Sequence, residues 1–145
     1  MTIRILIAED DLACRKFMQQ ILKDYGKCHA VVDGIEAVDA FLSAWEEKNP
    51  YDILFLDIMM PKLDGLKAMK IIRDMEKDKK IEPKDHIKII IITELTDEKT
   101  VYRAFDLGCD AFAAKPLNQQ EIDNALNKMG INPFDKMNRR SVHAS

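Results

Sequence analysis

The sequence has little cysteine, no strong charge of either sign and no long apolar run, and each shortage removes a class of function. Its cysteines, Cys14, Cys28 and Cys109, are odd in number, far apart and never spaced as CxxC. That argues against a disulfide framework or a thiolate metal site, and for small reduced core residues in a cytoplasmic protein. The histidines, His29, His86 and His143, share no ligand spacing, and none reads as a phosphodonor. A net charge of −3 gives no ground for a nucleic-acid partner. Residues 76–86 (EKDKKIEPKDH) look basic, but Glu76, Asp78, Glu82 and Asp85 match the four lysines, as in a solvated loop. No apolar stretch approaches the roughly 20 residues a membrane span needs. The first residues are too short and too quickly acidic for a signal peptide.

What is there suits one domain. The 145 residues, 47% hydrophobic and 32% charged, are enough for a proper core. Short apolar runs lie at residues 3–8, 28–32, 53–56, 87–92 and 111–114. The first, third and fourth are almost continuous Ile, Leu and Phe, as expected of strands covered on both faces. The second and fifth are weaker, which suits positions nearer an edge. Between them the apolar residues fall at helical spacing, as in Cys14, Phe17, Met18, Ile21 and Leu22, or Ile122, Ala125, Leu126 and Met129. Asp33 with Glu36, and Asn118 with Glu121, resemble capping boxes, and Gly130 makes a stop for the last helix. The pattern is (βα)5, an α/β fold with a doubly wound five-stranded parallel sheet. No internal repeat or linker divides it. Residues 1–130 form the domain, and residues 131–145 are expected to be a short, partly disordered tail with no output domain.

In such a sheet, ligands bind beyond the carboxyl ends of the strands. The first strand ends in Glu9-Asp10-Asp11, the third in Asp57 and the fourth in Thr93, while the fifth leads to Lys115. Singly, each has an ordinary explanation as a cap, a turn or an exposed side chain. Together at one edge they ask for a chemical one. Carboxylates about 4 Å apart repel by roughly 4 kcal/mol at an effective dielectric near 20. A proton or cation among them relieves that repulsion. Oxygen donors without His or Cys point to a hard divalent ion, Mg2+ foremost. A lysine and a hydroxyl facing it are what phosphoryl transfer needs, with Asp57 as nucleophile and an aspartyl phosphate as product.

The stretches ILIAEDD, ILFLDIMMPKLDG, IIIIT and GCDAFAAKP resemble, in order and spacing, the receiver domains of two-component response regulators, single-domain chemotaxis regulators included. The resemblance runs from Ile3 to about Gly130. It implies a flavodoxin-like sheet of strand order 2-1-3-4-5 and Asp57 as phosphoacceptor. It also implies Asp10 and Asp57 as direct Mg2+ ligands, Glu9 acting through water, and the backbone carbonyl of Met59 completing the shell. Lys115 pairs with the phosphoryl group, Thr93 and Phe112 form the switch, and the bond before Pro116 is cis. The implied partners are a sensor histidine kinase or phosphotransfer protein and a downstream protein, met at the face of the fourth helix, fifth strand and fifth helix. The chain would be a monomer or a phosphorylation-dependent dimer, and no enzyme beyond its own phosphotransfer and slow self-dephosphorylation.

The match is imperfect at three tuning positions. Glu94 stands where the family usually has a small residue, and a long anionic side chain there is expected to slow small anionic donors. Met59 and Leu95 cannot place a hydrolytic water, so slow loss of phosphate is expected. Two other functions compete. An Asp-nucleophile phosphohydrolase resembling the haloacid-dehalogenase-like enzymes would carry a second acid two residues on to protonate the leaving group, where Met59 stands. A constitutive, non-phosphorylated interaction module draws support from Glu94 alone.

Overall fold

The computed structural model of the chain describes residues 3–131. The expectations for the tail otherwise lie outside those residues. In chain order the elements are β1 (Ile3–Ala8), α1 (Leu12–Leu22), β2 (Gly26–Val31), α2 (Gly34–Glu46) and β3 (Ile53–Asp57). They continue with α3 (Gly65–Asp78), a 3-10 turn (Pro83–Asp85), β4 (Lys88–Thr93), α4 (Glu98–Leu107), β5 (Ala111–Ala114) and α5 (Gln119–Lys128). The strands form one parallel sheet of order β2-β1-β3-β4-β5. The two weakest apolar runs are the edge strands, as expected. β2 begins two residues earlier than its apolar run, because Gly26 and Lys27 pair with Ile3 and Arg4.

Alternation along the strands divides the core in two. Leu6, Ala8, Leu54, Leu56, Ile89 and Ile91 meet Phe41 of α2, Met69 and Ile72 of α3 and Ala104 of α4. Ile5, Ile7, Phe55, Ile90 and Ile92 face the other way, against Met18 and Leu22 of α1 and Ile122 and Leu126 of α5. An acid or amide caps each of the five α-helices at its N-terminus: Asp11, Asp33, Asp64, Asp97 and Asn118. These caps fix where each loop leaves the sheet edge. Among the described residues no helix is long and apolar enough to cross a membrane.

Residues 76–86 depart from the solvated-loop expectation. α3 runs on to Asp78, and Glu76 on its inner side is fully buried. Arg73 Nη1 donates to Glu76 Oε1 at 2.6 Å, and the Ile87 amide donates to Glu76 Oε2 at 2.7 Å. The same guanidinium donates twice to the Gly108 carbonyl, at 3.0 and 2.8 Å, and once each to Asp110 and the Ile87 carbonyl. Charge balance in this run reflects ion pairing as well as solvation, and that pairing ties α3 to the turn between α4 and β5. α4 itself is thinly packed: only Ala104 is fully buried, while Tyr102 and Phe105 are exposed.

Candidate functional site

The acids lie at the carboxyl ends of the strands because each strand delivers its last residues there. β1 ends at Ala8, so Glu9 and Asp10 form the turn into α1 and Asp11 caps that helix. β3 ends on Asp57 itself, held by the start of α3. The Gly65 amide donates to the Ile58 carbonyl at 2.9 Å, and a Cβ at Gly65 would sit 2.1 Å from the Asp57 carbonyl oxygen. Only glycine lets the helix come so close.

Glu9, Asp10 and Asp57 each offer an oxygen, all within 4.8 Å of one another. Glu9 and Asp57 are buried and Asp10 is exposed. Lys115 reaches between the buried pair, with its Nζ against Glu9 Oε1 and 3.1 Å from Asp57 Oδ2. The bond from Lys115 to Pro116 is cis, as the resemblance implies. Asp57 Oδ1 also accepts from the Met59 amide at 3.3 Å. Thr93 is wholly buried, and its hydroxyl oxygen accepts from the Leu95 amide at 3.1 Å. Phe112 is part-buried against the α2–α3–α4 side of the core, two strand positions before Ala114, which pairs with Thr93.

Of the tuning residues, Met59 is 63% exposed and Leu95 lies at the surface. Glu94 is exposed but does not simply face away. It lines an open cleft with Asp11, Cys14, Phe17, Lys115 and Pro116. On the other flank of the acids, Asp10, Met59, Leu66, Lys67 and Arg103 line a second cleft.

The cluster fits a hard cation on its own chemistry. Its donors are all oxygen, and Glu9 Oε2 is buried with no hydrogen-bond partner among the described residues. An unpartnered carboxylate oxygen at zero exposure is costly and calls for a proton or a cation. In the metal-free chain the proton falls to Asp57: burial, then the Glu9 carboxylate, push it up to about 7, with Lys115 pulling the other way. Burial also works to raise Glu9, but the neighbouring Asp57, Cys14 and Lys115 outweigh it and hold that carboxyl below its usual range. Burial opposes charge on Lys115, yet Glu9 and Asp57 raise it well above the ordinary lysine value.

A stability consequence follows from the sign of the Asp57 shift. A group held above its ordinary pKa contributes stability that is complete below that ordinary value and lost as pH rises through the folded value. The metal-free chain should therefore melt lower at about pH 8 than at about pH 5 on this account, and Asp57→Asn should remove most of the difference. Calorimetry at the two pH values checks this; an Asn variant that keeps the full difference would place the linkage elsewhere.

Lys115 lies 106 residues from Glu9 and 58 from Asp57. One residue that sequence reasoning missed is Arg15, whose side chain reaches back from α1 to the carbonyl oxygens of Glu9 and Asp10. Its position four residues after the cap Asp11 was the available signal.

Residues 5–127 match the response regulator receiver domain family. The chemotaxis protein CheY of Treponema pallidum is 30% identical over 122 residues, covering 82% of this chain and 76% of that protein. The hybrid signal transduction histidine kinase B of Dictyostelium discoideum is 30% identical over 135 residues, and there this chain spans 7% of the relative's length. Among solved structures, the CheX–CheY–beryllofluoride–magnesium complex from Borrelia burgdorferi has a chain 27% identical, with a TM-score of 0.75 over 90% of each chain. A parallel five-stranded fold with an acid cluster and a half-buried lysine at its ligand edge is a receiver-type signalling domain. The chain belongs to the response regulator receiver domain family of two-component signalling.

Proposed function

We propose that residues 1–130 act as a phosphorylation-switched receiver that takes a phosphoryl group onto Asp57 from the histidine of a sensor kinase or phosphotransfer protein. The observation that carries this is Lys115 bridging Glu9 and Asp57 beside an unpartnered Glu9 oxygen. An Asp57 oxygen attacks phosphorus, the P–N bond of the donor breaks, and its electron pair leaves on the imidazole nitrogen. Asp10, Asp57 and the Met59 carbonyl would hold Mg2+ directly, with Glu9 through water. When bound, the ion supplies positive charge that stabilises the phosphoryl oxygens. Lys115 neutralises the same group, and Thr93 gives it a hydroxyl donor once its bond from the Leu95 amide is rearranged.

That rearrangement draws the loop after β4 inward and lets Phe112 turn toward the space vacated, so the face of α4, β5 and α5 changes its preferred downstream protein. Inverting a 1:99 equilibrium takes about 5.5 kcal/mol, within reach of several charge-assisted contacts. The hybrid histidine kinase among the relatives supports a phosphorelay setting, and the CheY relative a diffusible regulator. Neither nucleic acid nor membrane is a partner, and the protein works in the cytoplasm as a monomer or a phosphorylation-dependent dimer. Beryllofluoride with Mg2+ tests the switch: amide shifts should move around Phe112 and along α4. No binding would favour a constitutive interaction module instead. The phosphohydrolase reading loses support from Met59, which offers no leaving-group acid.

Two kinetic outcomes follow for the tuning residues. Glu94→Ala should raise the rate of labelling by acetyl phosphate several-fold, because an anion lining the cleft beside Lys115 repels an anionic donor. An unchanged rate would show that Glu94 has no part in access. Phosphate on Asp57 should be lost slowly, since neither Met59 nor Leu95 can place a water. Radiolabel decay on the scale of seconds would refute that.

A further inference from the structure

Arg15 sits half-buried in the first turn of α1, behind the acidic pair. Its Nη1 donates to the Glu9 carbonyl at 2.8 Å and to the Asp10 carbonyl at 3.3 Å. Those carbonyls lie past the end of β1 and before the Asp11 cap, where neither the sheet ladder nor the helix satisfies them. One nitrogen thus fixes two consecutive peptide units, and the side chains of those two residues are two of the three acids of the cluster. A guanidinium so near carboxylates would ordinarily pair with one. Here it is directed to the backbone, and the two carboxylates are left to Lys115 and the site.

We propose that Arg15 is a positioning residue for the cation site, holding the backbone of Glu9 and Asp10 so that both carboxylates converge with Asp57. The inference rests on the reading of that cluster as a Mg2+ site. Outer partners of this kind typically change metal affinity by about tenfold or more when removed. Charge and positioning make opposite forecasts here. A cation beside the acids repels Mg2+, so losing it through charge alone would tighten binding. Losing the two carbonyl contacts releases the turn and weakens it.

The experiment is calorimetric titration of Mg2+ into the parent chain and into Arg15→Met, with amide spectra showing that the sheet is intact. The expected result is about a tenfold weaker Mg2+ Kd in Arg15→Met, despite its lost positive charge. Equal or tighter binding in that variant, where the parent binds, overturns the role of Arg15 alone. A parent chain that takes up no Mg2+ overturns the metal reading and this role with it. Should Arg15→Met not fold, Arg15→Lys decides the matter. It keeps the charge with a shorter reach and is expected to weaken binding about threefold, and unchanged binding overturns the proposal.

Discussion

With asparagine in place of Asp57, the chain is expected to incorporate no phosphate above background from radiolabelled acetyl phosphate or from a phosphorylated donor protein. The argument is local. Glu9 is buried with one oxygen against Lys115, and Asp10 is exposed with no ion pair among the described residues. Asp57 alone combines position at the end of β3, contact with Lys115 at 3.1 Å and an amide donor from Met59. Asparagine keeps the shape but is a far poorer nucleophile, and its uncharged amide does not repel Glu9. The variant should therefore be folded, at least as stable as its parent above neutral pH, and inert to phosphorylation. Labelling at the parental rate would remove Asp57 from the role. Labelling that moves to another acid would show the nucleophile to be replaceable.

The second large effect lies at the opposite end of the sheet. Arg73→Ala should cost about 3–5 kcal/mol, because it leaves Glu76 charged and fully buried with its guanidinium partner gone. In a domain of this size that corresponds to a fall in Tm of roughly 10 to 20 °C. His86 is a weaker partner, since its Nδ1 stands 3.7 Å from Glu76 and carries charge only when protonated, while its Nε2 lies 3.0 Å from the Ile81 carbonyl. Adding Glu76→Gln to Arg73→Ala should recover part of the loss by removing the stranded charge, and a double-mutant cycle isolates that coupling. A loss below about 1 kcal/mol in the single variant would mean that water or a neighbour takes over the charge.

These two regions were not equally legible in the sequence. The edge holding Asp57 was readable because parallel strands announce themselves as unbroken apolar runs and their ends are where ligands bind. Glu9, Thr93 and Lys115 could be placed by that rule alone, and the caps at Asp33 and Asn118 stand where their spacing put them. Which acid Lys115 touches was not readable, since that depends on side chains meeting across three strands. Glu76 was misread because charge was counted along a run rather than around a helix. It stands seven residues after Met69 and four after Ile72, on the buried side of α3. A glutamate in phase with an apolar stripe, with an arginine three residues before it, is the pattern of a buried pair. Arg15 escaped notice for the related reason that its partners are backbone atoms, so its place four residues after the Asp11 cap was the one mark it left.

The arginine beneath the sheet also gives α4 a mechanical character. Its ten residues make a rod about 15 Å long. At one end Arg73 pins the Gly108 carbonyl with two hydrogen bonds, and at the other an exposed loop joins it to Thr93. With Ala104 the one residue it buries along its length, a helix tied this firmly at its end would turn about that end more readily than it would slide. A pull of about 1 Å at the free end swings it by about 4°, and Tyr102, near the middle, travels roughly half as far as the tip. If the proposed switch draws the loop after β4 inward, Arg73 would be the fulcrum of a lever, and the length of the helix would set how far the surface moves for each ångström gained at the acids.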